Sequence, residues 1–213
     1  MTHPPADNSL AGVLDARTAL LVVDMQRDYC VPEGIIGMLG HDTSHFPEVG
    51  RRLAAFVEQA RPALDQVVFI RTDFPAWPRS RAQALHYGRN ALARKRDDSM
   101  TDWFAVQPAA GDPVISKARY SAFRDTQLDA LLRAGRIETV IVCGATTDVC
   151  VDTTARDAFL HDYSVVVLSD CSGASTPGRH RHALDVLDHF FARVHTGAEV
   201  LACLTERHER KQP

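Results

Sequence analysis

The run Thr139-Val140-Ile141-Val142-Cys143, closed by Gly144, leaves this chain few folding options. A short, β-branched apolar run ended by glycine fits a buried strand. The period then changes, and Val151, Thr154, Ala155, Ala158 and Phe159 fall on one helical face. A buried strand feeding a helix is the repeating unit of an α/β fold with a parallel sheet. Cys150 stands where one becomes the other. At that place a thiol meets free backbone N–H groups and the positive end of the helix dipole. Such a site can lower a thiol pKa from ~8.5 to ~3.5–7.5 and give a thiolate at neutral pH. The plainer alternative is a small buried apolar residue, and Cys143 within the strand fits it.

Two further strand ends offer partners for a nucleophile. Leu20-Leu21-Val22-Val23 ends in Asp24, followed by Met25-Gln26, and Val114-Ile115-Ser116 ends in Lys117, followed by Ala-Arg-Tyr120-Ser-Ala-Phe123. In an open parallel sheet the carboxyl ends of the strands share one edge, where ligands bind. Alone, the aspartate reads as a turn residue and the lysine as a solvated charge. Together with Cys150 at an equivalent place, they form a candidate site.

The remaining pattern continues the alternation. Phe46, Val49, Leu53, Phe56, Val57 and Ala60 have helical spacing, Gln66–Arg71 predicts a second strand, and Leu128, Leu131 and Leu132 predict a helix capped by Thr126 and stopped by Gly135. Val165–Leu168 predicts a strand ended by Ser169-Asp170. Pro177-Gly178 opens a helix, Arg193–His195 predicts an edge strand, and Val200–Leu204 a last helical turn. This predicts an α/β chain of three layers, α/β/α. One domain over residues 18–205 is expected, with tails at 1–17 and 206–213.

The motifs Val-Val-Asp24-Met-Gln, Lys117 with Arg-Tyr-Ser-Ala-Phe, and Gly144-Ala-Thr-Thr-Asp-Val-Cys150-Val, in that order, resemble the isochorismatase-like cysteine hydrolases. That superfamily includes nicotinamidases, N-carbamoylsarcosine amidases, ureidoacrylate amidohydrolases and biuret hydrolases. The resemblance covers about residues 18–203. It implies a six-stranded, mostly parallel sheet in the order 3-2-1-4-5-6. It also implies an Asp24–Lys117–Cys150 triad, a cis peptide between Ala145 and Thr146, and an oxyanion hole from the N–H groups of Thr146 and Cys150.

Bulk properties fit a globular enzyme. Hydrophobic residues make up 45% and charged residues 24%, and the net charge of −3 gives no case for a nucleic-acid or membrane partner. No apolar stretch approaches the ~18 residues that span a bilayer. The start of the chain lacks the pattern of a secretory signal. Five cysteines without a C-x-x-C pair indicate neither a disulfide framework nor a zinc knuckle. A reducing cytoplasm is the expected setting, and a homo-oligomer, dimer or tetramer, the expected assembly.

Residues 72–113 interrupt the alternation, as lids and binding walls do. Trp77, Trp103, Tyr120 and Phe123 are candidates to line a substrate pocket, with core packing as the equal alternative. Gln26, Asp28, Tyr29 and Asn90 are candidate polar contacts, and Gln26 could instead bond the loop after the first strand. The arginines of this stretch fit a solvated face.

Nicotinamidases carry a metal site after the second strand, of the form Asp-x-His followed by His. Here the stretch reads Arg71-Thr-Asp73-Phe-Pro-Ala-Trp-Pro, so no metal and no organic cofactor are expected. His180, His182 and His189 crowd a late helix, where a surface role is expected. The Tyr29 and Ser169-Asp170-Cys171 segments resemble ureidoacrylate and biuret hydrolases. The sequence therefore predicts a cysteine amidohydrolase that acts on a small linear amide, first of all a terminal ureido or carbamoyl group. Asp24 would serve as base, Cys150 as nucleophile, and Lys117 as the charge that offsets both. Two alternatives stay open: a nicotinamidase or other carboxamide or lactam hydrolase, and a non-catalytic binding member.

Overall fold

The computed structural model of the chain describes residues 7–73, 80–87 and 98–211. The strands are β1 (Thr18–Val23), β2 (Gln66–Thr72), β3 (Val114–Lys117), β4 (Thr139–Ala145), β5 (Ser164–Gly173) and β6 (Arg193–His195). The helices are α1 (Leu10–Leu14), α2 (Arg27–Cys30), α3 (Ile35–Met38), α4 (Phe46–Ala60), α5 (Arg81–Tyr87), α6 (Leu128–Ala134), α7 (Asp152–Leu160), α8 (Pro177–Phe190) and α9 (Gly197–Lys211). Among the described residues the strands form one sheet in the order β3-β2-β1-β4-β5-β6, with every neighbouring pair parallel. The expected three-layer α/β/α architecture holds.

Strand periodicity builds the two cores. Leu20 and Val22 of β1 point to one face, with Phe69, Ile141, Val166 and Leu168, and meet Leu53 and Phe56 of α4 and Val200 and Leu204 of α9. Leu21 and Val23 point to the other, with Val68, Ile70, Val142 and Val167, beneath Leu132 of α6, Ala155 and Ala158 of α7 and Leu187 of α8. All six residues of β1 are buried, as a central strand covered on both faces requires. Each fully buried Leu or Val contributes about 1.5–3 kcal/mol over its exposed state.

Three expectations need correction. Residues 10–14, expected in an N-terminal tail, form a helix whose Leu14 is fully buried. The C-terminal segment, expected as a turn and a tail, is a helix reaching Lys211. The two are tied by the buried Arg207, which donates to the carbonyls of Leu14 and Ala16 and to Asp65. Such a cross-chain anchor leaves no periodic signal in sequence. Finally, β5 does not end at Leu168. It runs on through an irregularity in which two steps along β4, Val142 to Gly144, face five along β5, Val167 to Ser172. Ser169-Asp170 reads as a turn because the strand bulges there.

One glycine sets the geometry of the site. Gly144 has φ +120°, and a Cβ on it would lie 2.0 Å from the Val23 carbonyl oxygen. Only glycine allows the end of β4 to approach the end of β1 so closely. That approach delivers the segment after β4 to Asp24.

Candidate active site

The strand order places four chemical groups along one edge. Val23 pairs with Ile70 on one side and with Gly144 on the other, and Thr72 pairs with Lys117. Across adjacent strands β3, β2, β1 and β4, the edge therefore carries Lys117, Thr72, Asp24 and, just past β4, Cys150. Asp24 has φ +48°, a left-handed conformation that aspartate tolerates better than most residues. Its N–H donates to the Ile70 carbonyl at 2.9 Å, which fixes the turn. Cys150 lies in a π-helical turn, Thr147–Val151, that continues into α7. The peptide bond between Ala145 and Thr146 is cis.

The side chains converge out of contact with solvent. Asp24 is fully buried, and Lys117 and Cys150 are 2% and 4% exposed. Lys117 Nζ lies 2.7 Å from Asp24 Oδ2 and donates to Thr72 Oγ1 at 3.1 Å, the Arg119 carbonyl at 3.0 Å and Cys150 Sγ at 3.5 Å. Thr72 Oγ1 donates in turn to Asp24 Oδ1 at 3.1 Å. Burial opposes the charge on Lys117, but Asp24 and Cys150 outweigh it and hold the ammonium above its usual pKa.

The expected pKa shift of Cys150 has the wrong sign. The thiol is pushed up, first by burial and then by the Asp24 charge, and Lys117 offsets this only in part. Loss of solvation exceeds what a helix start supplies. The proton of Cys150 is therefore held more tightly than that of a free cysteine, with the Asp24–Lys117 pair beside the sulfur.

The other candidates separate cleanly. Gln26 is fully buried, and its amide holds loops together: Nε2 donates to the carbonyls of Thr72 at 3.2 Å and Thr101 at 2.9 Å, and Oε1 accepts from Thr72 N–H at 2.8 Å. It acts as a clamp on the end of β2, not as a substrate contact. Asp28 is buried and accepts from the Ile35 N–H at α3. Burial, followed by the charges of Asp24 and Cys150, holds the phenol proton of Tyr29 tightly. Phe123 is core, 7% exposed and stacked on His161 at 5.0 Å. Trp103 also packs edge-on against Phe69 at 5.5 Å, while its segment bridges Gln26. Tyr120 is 40% exposed. Trp77, Asn90 and most arginines of the 72–113 stretch lie outside the described residues.

Two residues of the site were missed. The strand predicted over 66–71 stops one position short of Thr72, which ends β2 at the edge. His180 was expected on a surface, yet its Nδ1 lies 2.9 Å from Thr147 Oγ1, in the turn that carries Cys150. Among the described residues, no group of three or more His, Cys, Asp or Glu side chains could hold a metal ion. No helix of the described residues is long and apolar enough to cross a membrane.

With this geometry established, comparison with known proteins is decisive. The isochorismatase domain model matches residues 18–199. The chain belongs to the isochorismatase family. It is 32% identical to the ureidoacrylate amidohydrolase RutB of Methylorubrum extorquens, over 100% of this chain and 92% of that protein. A cysteine hydrolase from Pseudomonas syringae pv. phaseolicola superposes with a TM-score of 0.78 at 28% identity, covering 97% of this chain and 100% of that one. The pyrazinamidase of Pyrococcus horikoshii, solved in complex with zinc, superposes with a TM-score of 0.69 at 25% identity, covering 84% and 99%.

Proposed function

We propose that this isochorismatase-family chain is a cysteine amidohydrolase whose substrate is a small linear ureide, cleaved at its terminal carbamoyl group through a covalent thiocarbamoyl intermediate. The observation that carries the reading is the buried cluster of Asp24, Lys117 and Cys150 at one sheet edge, with Lys117 Nζ 2.7 Å from Asp24 Oδ2 and 3.5 Å from the Cys150 sulfur. The similarity to ureidoacrylate amidohydrolases supports the choice of substrate. The chain is accordingly a hydrolase of carbon–nitrogen bonds in linear amides.

In this mechanism Asp24 takes the proton of Cys150 as sulfur attacks the ureido carbonyl. Lys117, in reach of both groups, compensates the one negative charge as it passes from the Asp24 carboxylate to the sulfur in a dry site. The N–H groups of Thr146 and Cys150 receive the oxyanion, Thr146 capping and Cys150 lying within the turn that presents the sulfur. Asp24 then returns the proton to the leaving nitrogen, and ammonia departs. Water, deprotonated by Asp24, hydrolyses the thiocarbamoyl group, and the carbamate released loses carbon dioxide unaided. In this scheme Tyr29, whose phenol proton is held tightly by burial and the Asp24 and Cys150 charges, is a candidate hydrogen-bond donor to the substrate. No step calls for a metal or an organic cofactor.

A screen of ammonia release tests the reading. 3-Ureidoacrylate, biuret, an N-carbamoyl amino acid and nicotinamide would be compared by kcat/KM. A ureide should exceed nicotinamide by at least roughly 100-fold, because a site built to pair both nitrogens is left with unmatched polar groups by a plain carboxamide. Dialysis against a chelator should leave that rate unchanged. Equal turnover of nicotinamide, or activity lost on chelation and restored by one added metal, would overturn the ureide assignment or the metal-free mechanism respectively.

A further inference from the structure

We infer that His180 is a positioning residue for Cys150, acting through Thr147 to lock the nucleophile's turn to the first turn of α8. This deepens the amidohydrolase reading and rests on it.

The argument is geometric. The π-helical turn Thr147–Val151 carries Cys150, and it begins two residues after β4 ends. Two consecutive residues of α8 hold two consecutive residues of that turn. His180 Nδ1 meets Thr147 Oγ1 at 2.9 Å, and Arg179 Nη1 lies 3.6 Å from Asp148 Oδ2. The second contact is long and its arginine half-exposed, so the first carries the weight. Thr147 is fully buried, which makes its bond costly to lose.

Burial first of all, and the neighbouring His45 and Arg181 charges, lower the pKa of the ring, with Asp148 pulling the other way. In the tautomer that carries its proton on Nε2, Nδ1 can accept from the Thr147 hydroxyl.

Cys150 sits three residues beyond Thr147, so movement of this anchor displaces the sulfur from Asp24 and from the attacked carbonyl. A misplacement of about 1 Å can cost 10²-fold in rate without loss of binding. His180 touches neither the sulfur nor the substrate in this scheme.

The test uses the whole chain, with 3-ureidoacrylate turnover and amide hydrogen exchange of the peptide covering residues 146–151. His180→Leu should lower kcat roughly 10–100-fold with KM within about threefold, and should speed exchange of that peptide at least about fivefold. His180→Asn, whose Oδ1 overlays Nδ1 and can accept from Thr147, should restore kcat to within about threefold of wild type. Thr147→Val should reproduce the His180→Leu loss, Thr147→Ser should not, and His180→Leu with Thr147→Val should be no worse than either alone. A His180→Leu kcat within about twofold of wild type, losses that multiply in the double variant, or equal failure of Leu and Asn would overturn the proposal. Should His180→Leu not fold, the Thr147→Val and Thr147→Ser pair decides alone. Should wild type hydrolyse no ureide, the functional reading fails, while the exchange rates still decide whether His180 holds the turn.

Discussion

Replacing Cys150 by alanine is expected to lower ureide turnover by at least roughly 10⁴-fold, since loss of a covalent nucleophile leaves only binding and oxyanion stabilisation. The fold should persist, because the change removes one sulfur atom from a site held by backbone and by the Asp24–Lys117 pair. Cys143→Ala and Cys171→Ala, buried in the core away from Asp24, should keep activity when folded. The resting thiol supplies a second signature. Its pKa is raised, so the thiolate fraction grows with pH throughout the working range. Alkylation of Cys150 by iodoacetamide should therefore rise steadily between about pH 6 and 9, where a thiol with a lowered pKa would already have reached a plateau. Cys150→Ala with undiminished turnover would count against the nucleophile, and a rate of alkylation independent of pH across that range would count against the raised thiol pKa.

The comparison of sequence and structure is instructive at particular residues. Asp24, Lys117 and Cys150 were legible because each follows a short apolar run, and a parallel sheet gathers such positions at one edge. The strand order came from resemblance, and alternation alone required only that the sheet be parallel. Thr72 was hidden by a boundary error of one residue, yet it bridges the aspartate and the lysine. A residue in register with Lys117 on the neighbouring strand was the signal available. His180 was hidden for a different reason. Nothing thirty residues along the chain announces that the first turn of α8 will lie on the nucleophile's turn, since that contact depends on the path of β5 and its bulge. The sign of the thiol shift was also illegible. A helix start can be read from spacing, whereas the burial that outweighs it is a property of the assembled site. Gln26 and Phe123 show that a residue next to chemistry in sequence is often spent on support. One clamps two loops and the other fills the core.

The ion pair at the centre of the site makes the sharpest separation between stability and chemistry. Asp24 and Lys117 are both buried, 2.7 Å apart. Burying two charges costs several kcal/mol per ion, and their attraction with the hydrogen bonds of Thr72 and the Arg119 carbonyl offsets that cost. Lys117→Met should remove about 3–5 kcal/mol of stability, because it strands the Asp24 carboxylate in a dry interior. It should also lower kcat sharply, as no cation remains to offset the charge on the sulfur. Asp24→Asn removes the proton acceptor of Cys150 and should cost about 10²–10⁴-fold in kcat, while leaving Lys117 as the unpaired ion. The double variant Asp24→Asn with Lys117→Met carries no buried charge at this pair. It should regain most of the stability lost by either single change, as neutral replacements of buried pairs often do, and it should stay inactive. Urea denaturation of the four proteins, paired with ureide turnover, separates the two effects. A double variant that is both stable and active would show that the pair serves packing alone. One that is no more stable than the single variants would mean that Asp24 and Lys117 do not stabilise each other within this edge.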